Sequence, residues 1–501
     1  MSVKIPRILI AGLAGDSGKT IVSLSLATAW KSKGLAIAAF KKGPDYIDAA
    51  WLSYAAQSTC RNLDTYLVPE RDVIDIFASG SQSSDIALIE GNRGIFDGKD
   101  VSGTHSTSGL AKLLQAPVVL VVDVTKSTRT IAALVKGCID FEPELRIAGV
   151  ILNKVAGTRH QNIVSSAIEK YCRLPILGAI PKLGDSSKLI PGRHLGLVTP
   201  SEYAEAEDLH KLLLKIGTNY IDYEKILEIA NNAEPLNSER PEIKSISYTD
   251  RVKIGYFSDS IFTFYYPENL EALENNGAEL VAISSIADKE LPPVDALYIG
   301  GGFPETQADK LVENKTMIAS VRKAAVSGMP IYAECGGLIY LSRSLLLDDR
   351  LYPMAGVFPL DLKMNVKPVG HGYTSVKVDS PNPFYEQGTV IKGHEFHYSG
   401  VTGNQTEAGL ELLKSCLQVE TGCGLGNKRD GLTYLNTLAC YTHIHAAGTK
   451  SWAPAMIRSA AIFKGNISNQ VNGHPLLIKA EINAIGDNGF LTSSNATIAY
   501  C

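Results

Sequence analysis

The sequence predicts an α/β protein made of two doubly wound units in succession, each a parallel sheet with helices on both faces. Three observations lead there. Over the first 230 residues, short apolar runs alternate with longer, helix-like mixed stretches. Those runs are continuously apolar, as expected for strands covered on both faces, and not alternating as in half-exposed strands. A second alternation of the same kind begins near residue 251, after a polar interval.

In the first unit the predicted strands are Arg7–Ala11 (RILIA), Ile37–Phe40, Ile86–Glu90 (IALIE), Val118–Asp123 (VVLVVD) and Gly149–Asn153 (GVILN). A helix is predicted over Thr20–Lys33 (TIVSLSLATAWKSK). Residues 231–250 are polar, contain proline and lack large apolar side chains, so they read as a linker. In the second unit, strands are predicted over Val252–Phe257, Ala278–Ala282 and Ala296–Ile299, with a helix over Pro267–Asn275. Pro330–Cys335 (PIYAEC) reads as a strand entering a sharp turn, followed by a helix-like run, LIYLSRSLL, from Leu338. No internal repeat relates the halves. The expected division is a first domain over 1–230, a linker over 231–250, a second domain over 251–464 and a tail over 465–501, rich in Asn and Ser.

The bulk properties exclude some functions. Of 501 residues, 45% are hydrophobic and 20% charged, ordinary values for a globular protein, and the net charge of −4 offers no basic excess for nucleic acid or anionic membrane. The eight cysteines (Cys60, Cys138, Cys172, Cys335, Cys416, Cys423, Cys440 and Cys501) form no CxxC pairs. Reduced thiols, no secretory leader and no apolar run of about 18 residues lead to a cytoplasmic expectation, with small-molecule partners.

RILIA leads into Gly12-Leu-Ala-Gly15-Asp-Ser-Gly18-Lys19-Thr20 and then a helix. Glycines let backbone N–H groups curl around phosphate oxygens, and the helix N-terminus adds positive potential. Lys19 can reach terminal phosphates and the Thr20 hydroxyl can meet Mg²⁺. The loop is one residue longer than the usual phosphate loop and resembles the dethiobiotin-synthetase branch. Two acidic segments follow: Lys41-Lys42-Gly43-Pro44-Asp45-Tyr46-Ile47-Asp48, and Glu90-Gly91-Asn92-Arg93-Gly94-Ile95-Phe96-Asp97-Gly98. Ligands of open parallel sheets gather at the carboxyl ends of strands, where Asp45, Asp48, Glu90 and Asp97 fall. Gly, Pro and Asp also favour turns, so turn chemistry competes with this reading. Asn153, at the end of a later strand, suits contact with a nucleotide base edge.

In the second unit, Ala333-Glu334-Cys335-Gly336-Gly337-Leu338 has the pattern of a strand–nucleophile–helix elbow. The helix N-terminus is expected to favour the thiolate. The Gly336 N–H and one from Gly300-Gly301-Gly302 (Gly301 is the expected one) are oxyanion donors. A base is needed, and His443 in Cys440-Tyr-Thr-His443-Ile-His445 is the expected one. His394 and His397 form a second pair.

These motifs occur together and in order with FYYPENLEAL (Phe264–Leu273), GGGFPE (Gly300–Glu305) and GHEFHYS (Gly393–Ser399). In combination they resemble the cobyrinate a,c-diamide synthase family over roughly residues 5–460. The resemblance implies a P-loop NTPase domain of the dethiobiotin-synthetase kind followed by a class I glutamine amidotransferase domain. It implies ATP- and Mg²⁺-dependent amidation of the a and c acetate groups of a tetrapyrrole in cobalamin biosynthesis. Ammonia would come from glutamine and pass to an acyl phosphate. Carried over by position, Gly12, Gly15, Gly18, Lys19 and Thr20 bind ATP, Asp45 and Glu90 belong with Thr20 to the metal or substrate site, and Cys335 and His443 are catalytic.

Two departures stand out. Arg93 stands where the family often has Met, beside the expected substrate site, where it can meet a macrocycle carboxylate. His445 stands where class I amidotransferases carry the carboxylate that orients the histidine, so no orienting group is assigned. Amidation of nickel-sirohydrochlorin or hydrogenobyrinate is the nearest rival, and a P-loop regulatory or partitioning ATPase with an inactive second domain is a rival of another class. Two sites in two domains require docking, within one chain or in a homodimer.

Overall fold

The structure is a computed structural model and describes residues 2–183, 192–193, 196–200, 202–203, 205–237, 251–402 and 414–471. The first half is built on a seven-stranded, wholly parallel sheet in the order Arg61–Leu63, Ile37–Lys42, Ile86–Glu90, Arg7–Gly12, Val118–Asp123, Ile147–Val155 and Ile176–Pro181. The continuous apolar runs follow from this. Alternate residues of one strand enter different cores: Leu9 and Ala11 join the cluster with Phe40 and Val73, while Ile8 and Ile10 join that with Trp30 and Trp51. The strand Arg7–Gly12 sits where the chain reverses its direction of winding, so the loop after it opens at the ligand-binding edge.

The second half is built on a ten-stranded mixed sheet. Ala278–Ile283, Val252–Phe257, Ala296–Ile299, Ile331–Glu334 and Thr437–Cys440 are parallel. Arg429–Tyr434, Ser415–Thr421, Gly370–Val378, Val390–His397 and His443–Ile444 continue the sheet antiparallel. Ser344–Leu347 lies in a separate four-stranded sheet with Arg350–Pro353, Asp361–Met364 and Ser399–Val401. The helix-like run from Leu338 is therefore split. Helix Gly336–Leu341 stops where Ser342 turns extended and its hydroxyl bonds the Ile339 carbonyl at 2.6 Å, and the following leucines pair as a strand. A short, all-apolar run suits either structure, and only the available strand partners decide.

The interval read as a linker is partly structured: helix Tyr223–Asn231 ends in it, and Leu236–Asn237 pairs antiparallel with Ser2–Val3. Residues 238–250 lie outside the described residues. The helix Trp452–Val471 continues into the predicted tail, whose residues 472–501 also lie outside them. No helix among the described residues is long and apolar enough to cross a membrane.

The two halves meet at the carboxyl edges of their sheets. Tyr46 stacks on Phe264 (4.9 Å between ring centres, 4° between planes) and on Tyr266. The Tyr266 hydroxyl donates to the Pro44 carbonyl at 3.2 Å, and the Tyr373 hydroxyl to Asp64 at 2.8 Å. Arg61 of the first half bonds Glu268 at 2.9 Å and Glu271 at 2.5 Å on the helix Pro267–Asn275. Glu268 also faces His445 at 3.5 Å. Arg61→Ala strands a nearly buried carboxylate between the halves. The expected loss is about 1–3 kcal/mol, reduced from the fully buried case because Arg61 is partly exposed. Denaturant unfolding followed by tryptophan fluorescence measures it, and an unchanged midpoint would show the pairing to be idle.

Candidate active site

The loop after strand Arg7–Gly12 is held open by close packing. Gly18 has φ +99°, and a Cβ there would sit 2.2 Å from Nδ2 of Asn153. That amide donates to the Ser17 carbonyl at 2.9 Å while Oδ1 accepts the Lys154 N–H at 2.9 Å. The side chain expected to read a base edge also braces the loop. The Lys19 ammonium folds back onto the Ala14 carbonyl at 2.9 Å. Burial, and then the charge of Lys41, lower its pKa.

Lys41 is the centre of the acidic cluster. It is 1% exposed and bonds Asp48 at 2.6 Å and Glu90 at 2.8 Å. Burial alone would depress its ammonium, but Asp48 and Glu90, with Asp45, hold it above the ordinary lysine range. Burial also lifts the Glu90 carboxyl, which Lys41 opposes; the ammonium shared by two carboxylates is the firmer charge. Thr20 Oγ1 donates to Glu90 Oε1 at 2.9 Å, so the loop and the cluster form one unit. Asp45 caps the helix Tyr46–Ala56, its Oδ1 accepting the N–H groups of Ile47 and Asp48. Burial and then Asp48 raise its pKa to about 6. Asp97 accepts the Gly94 N–H at 2.8 Å, a turn role, while Arg93 lines the cavity described below.

The elbow has the backbone such turns require. Cys335 has φ +47° and ψ −96°, uncommon for a residue with a side chain, and helix Gly336–Leu341 follows it. Its N–H donates to the Cys440 carbonyl at 2.8 Å and its thiol to the Phe396 carbonyl at 3.9 Å. The expected thiolate preference is reversed: burial, then the charge of Glu305, push the Cys335 thiol up, and the Gly336 N–H opposes them only in part. A helix of six residues is too short to outweigh desolvation. A Cβ on Gly301 would lie 2.4 Å from Cε1 of His443, so the imidazole packs directly on the glycine loop. Gly302 N is the nearest heavy atom, at 2.9 Å, to where a Gly336 side chain would begin. Gly302, not Gly301, is therefore the loop residue that approaches the elbow there.

Topology delivers His443 to the same place. Strand Thr437–Cys440 runs beside the strand that ends in the elbow, with Cys440 opposite Glu334, and His443 comes three residues later. The buried carboxylate of Asp430 fixes the intervening turn, accepting the N–H groups of Tyr441 and Thr442, both at 3.0 Å. His443 Nδ1 faces Glu334 Oε2 at 3.4 Å. Glu334 is fully buried and is held by the Tyr298 hydroxyl and the Ile444 N–H, both at 3.2 Å. The carboxylate nearest the histidine is thus that of the residue before the nucleophile, close to Nδ1 though not hydrogen-bonded to it. A lone Glu at the end of the otherwise apolar strand Ile331–Glu334 was the signal in the sequence. Lys41 was equally visible, while Asp430 had no local signal. His394 stacks on His443 at 4.9 Å; burial, then His443 and His445, push its pKa well below the usual value. His397 is held by the Ser399 carbonyl and stacked on Tyr441.

One cavity of about 880 Å³ lies between the two halves, lined by residues of both but not by the phosphate loop, Lys41 or Glu90. Cys335, His443 and Glu395 line it from the second half, and Asp45, Asp48 and Arg93 from the first. Cys423 also lines it and is exposed, whereas Cys335 is buried. With iodoacetamide at neutral pH, Cys423 is expected to alkylate before the other cysteines of the described residues. The raised Cys335 pKa keeps that thiol protonated, so its labelling should still be climbing above about pH 9, the ordinary thiol range. Peptide mass spectrometry across pH checks this; fastest labelling of Cys335 at neutral pH would contradict the burial argument.

Residues 8–194 match the CobQ/CobB/MinD/ParA nucleotide binding domain, and residues 253–451 match the CobB/CobQ-like glutamine amidotransferase domain. A protein of Magnetococcus marinus named cobyrinate a,c-diamide synthase is 41% identical over 463 residues, covering 91% of this chain and 98% of its own length. One of the same name from Archaeoglobus fulgidus is 38% identical over 463 residues, covering 92% and 98%. Another, from Dehalococcoides mccartyi, is 40% identical over 471 residues, covering 92% and 99%. With both halves matched in order and nearly the full length shared, the chain belongs to the cobyrinate a,c-diamide synthase family.

Proposed function

We propose that the protein amidates the a and c acetate carboxylates of cobyrinate, with ammonia from glutamine and activation by ATP, in cobalamin biosynthesis. The observation that carries this reading is the single cavity lined by Cys335 and His443 on one side and by Asp45, Asp48 and Arg93 on the other. The relatives' shared name supplies the substrate.

Glutamine binds with its amide carbon at Cys335. His443 takes the thiol proton as sulfur attacks and returns it to the departing ammonia. The raised thiol pKa makes this proton transfer part of the attack and not a resting state. Glu334 faces Nδ1 of the imidazole and offsets the positive charge that the ring gains. The Gly336 N–H and the neighbouring glycine loop receive the oxyanion. Water then hydrolyses the thioester to glutamate.

In the first half, residues 12–20 cradle ATP, and a substrate acetate attacks the terminal phosphorus. ADP leaves, and ammonia displaces phosphate from the acyl phosphate to give the amide. Lys19, freed from the Ala14 carbonyl, meets the transferring phosphoryl group. The donor set fits Mg²⁺: buried Oε2 of Glu90 has no partner among the described residues, and the Thr20 hydroxyl adjoins Oε1. Thr20, Glu90 and Asp45 would hold the ion, which would offset phosphate charge. The ammonia crosses one shared cavity, so a single chain suffices for docking.

Amide formation on cobyrinate, hydrogenobyrinate and nickel-sirohydrochlorin, each with ATP and with glutamine or ammonium, tests the reading by mass. Cys335→Ala is expected to abolish glutamine use and keep ammonium use. Glu334→Gln should lower glutamine-dependent turnover by about 10²-fold, with ammonium use intact. Lys19→Ala should abolish both. No mass gain on any macrocycle from the wild-type protein would refute the proposal.

A further inference from the structure

The scheme above leaves one wall of the cavity unused. Lys42 ends the strand Ile37–Lys42, next to Lys41. Neighbouring side chains leave a strand on opposite faces, so Lys41 reaches Glu90 and Asp48 while Lys42 lines the cavity. Lys42 is 7% exposed, yet no hydrogen bond or ion pair reaches its ammonium among the described residues. Asp64 attracts it, but Asp64 Oδ1 accepts the N–H groups of Tyr66 and Leu67, and Oδ2 holds the Tyr373 hydroxyl. Burial lowers the Lys42 pKa, and Arg93 and Lys41 push the same way. A nearly buried ammonium whose one attracting carboxylate, Asp64, makes no direct contact with it gains from a further anion.

Arg93 faces the same space from the turn after Glu90. It has φ +49°, lines the cavity, and has no ion-pair partner among the described residues. Lys99 lies at the same wall, its ammonium 4.3 Å from the centre of the Tyr66 ring. From the second half, His371 is near enough that Arg93 lowers its pKa further after burial has done so. Of the cavity's carboxylates, Asp48 is paired with Lys41, and Asp45, Asp97 and Glu395 are held in place by backbone N–H groups; none of these forms an ion pair with Lys42 or Arg93. Lys42, Arg93 and Lys99 therefore form a cationic stretch in a cavity that elsewhere carries carboxylates.

We infer that Lys42 and Arg93, with Lys99 at the rim, form an anion subsite for a substrate carboxylate other than the one being amidated. This rests on the amidation reading, and it names how a polycarboxylate macrocycle is oriented. One acid side chain is gripped at Lys42 and Arg93 while another lies by Asp45 and Asp48, which line the same cavity. Arginine supplies a two-pronged contact and lysine a point charge, so the subsite selects a carboxylate and not a neutral amide.

The test titrates the full chain with cobyrinate, following corrin absorbance at low and high salt. Wild type, Lys42→Met, Arg93→Met and Lys42→Arg are compared, with KM and kcat measured alongside. Each Met substitution is expected to weaken cobyrinate binding about tenfold or more, the scale of one charge-assisted contact. Each should flatten the salt dependence and raise KM for cobyrinate, with kcat changed less than about threefold. Lys42→Arg should retain binding. Michaelis constants for ATP and glutamine should hold, which a misfolded variant would not give. Binding and KM for cobyrinate equal to wild type in both Met variants would overturn the subsite and leave the amidation reading standing. Wild-type protein that binds cobyrinate without amidating it would contradict that reading, and the same titrations would still decide the subsite. Failure of wild type to bind cobyrinate would overturn both.

Discussion

Tyr46 packs between two worlds of the molecule. It begins the helix that Asp45 caps, beside the phosphate loop, and its ring stacks on Phe264 and Tyr266 and lies 5.5 Å from His443. This aromatic junction, reinforced by Arg61 with Glu268, presses the carboxyl edges of two sheets together. Both sheets place their reactive groups at those edges, because loops and helix N-termini open there. Docked edge to edge, they enclose one cavity instead of two clefts.

Buried charge is what makes the enclosure chemically useful and energetically demanding. An ion loses several kcal/mol on leaving water, so each must find its counterpart. Lys41 answers Asp48 and Glu90, and Glu334 answers His443 when that ring takes a proton. Lys42 is nearly buried with no direct partner among the described residues, and the exposed Arg93 lines the same cavity, which is why the two together point to a ligand. The thiol of Cys335 follows the same rule in reverse, staying neutral until a base and a substrate share its proton.

Much of this was legible in the sequence. Continuous apolar runs marked most of the parallel strands, and the ordered motifs marked both reactive ends. What the sequence could not reveal depended on contacts between distant residues. The antiparallel half of the second sheet depends on pairings such as His394 with His443. The leucines after Ser342 became a strand because Arg350–Pro353 and Asp361–Met364 lay beside them. The bond from Asn153 to the loop 136 residues earlier had no local signal. Glu334 was overlooked because the expected carboxylate was sought after the histidine, whereas the fold supplies it from the neighbouring strand. Local patterns specify elements; partners across the sheet specify roles.

The central claim is that nitrogen released at Cys335 reaches the activated carboxylate within the shared cavity. Its most direct test supplies glutamine labelled with ¹⁵N in the amide, together with an excess of unlabelled ammonium, and reads the isotope in the amidated tetrapyrrole. The account predicts product carrying undiluted ¹⁵N from glutamine. Product diluted to the isotope ratio of the bulk ammonium would contradict it.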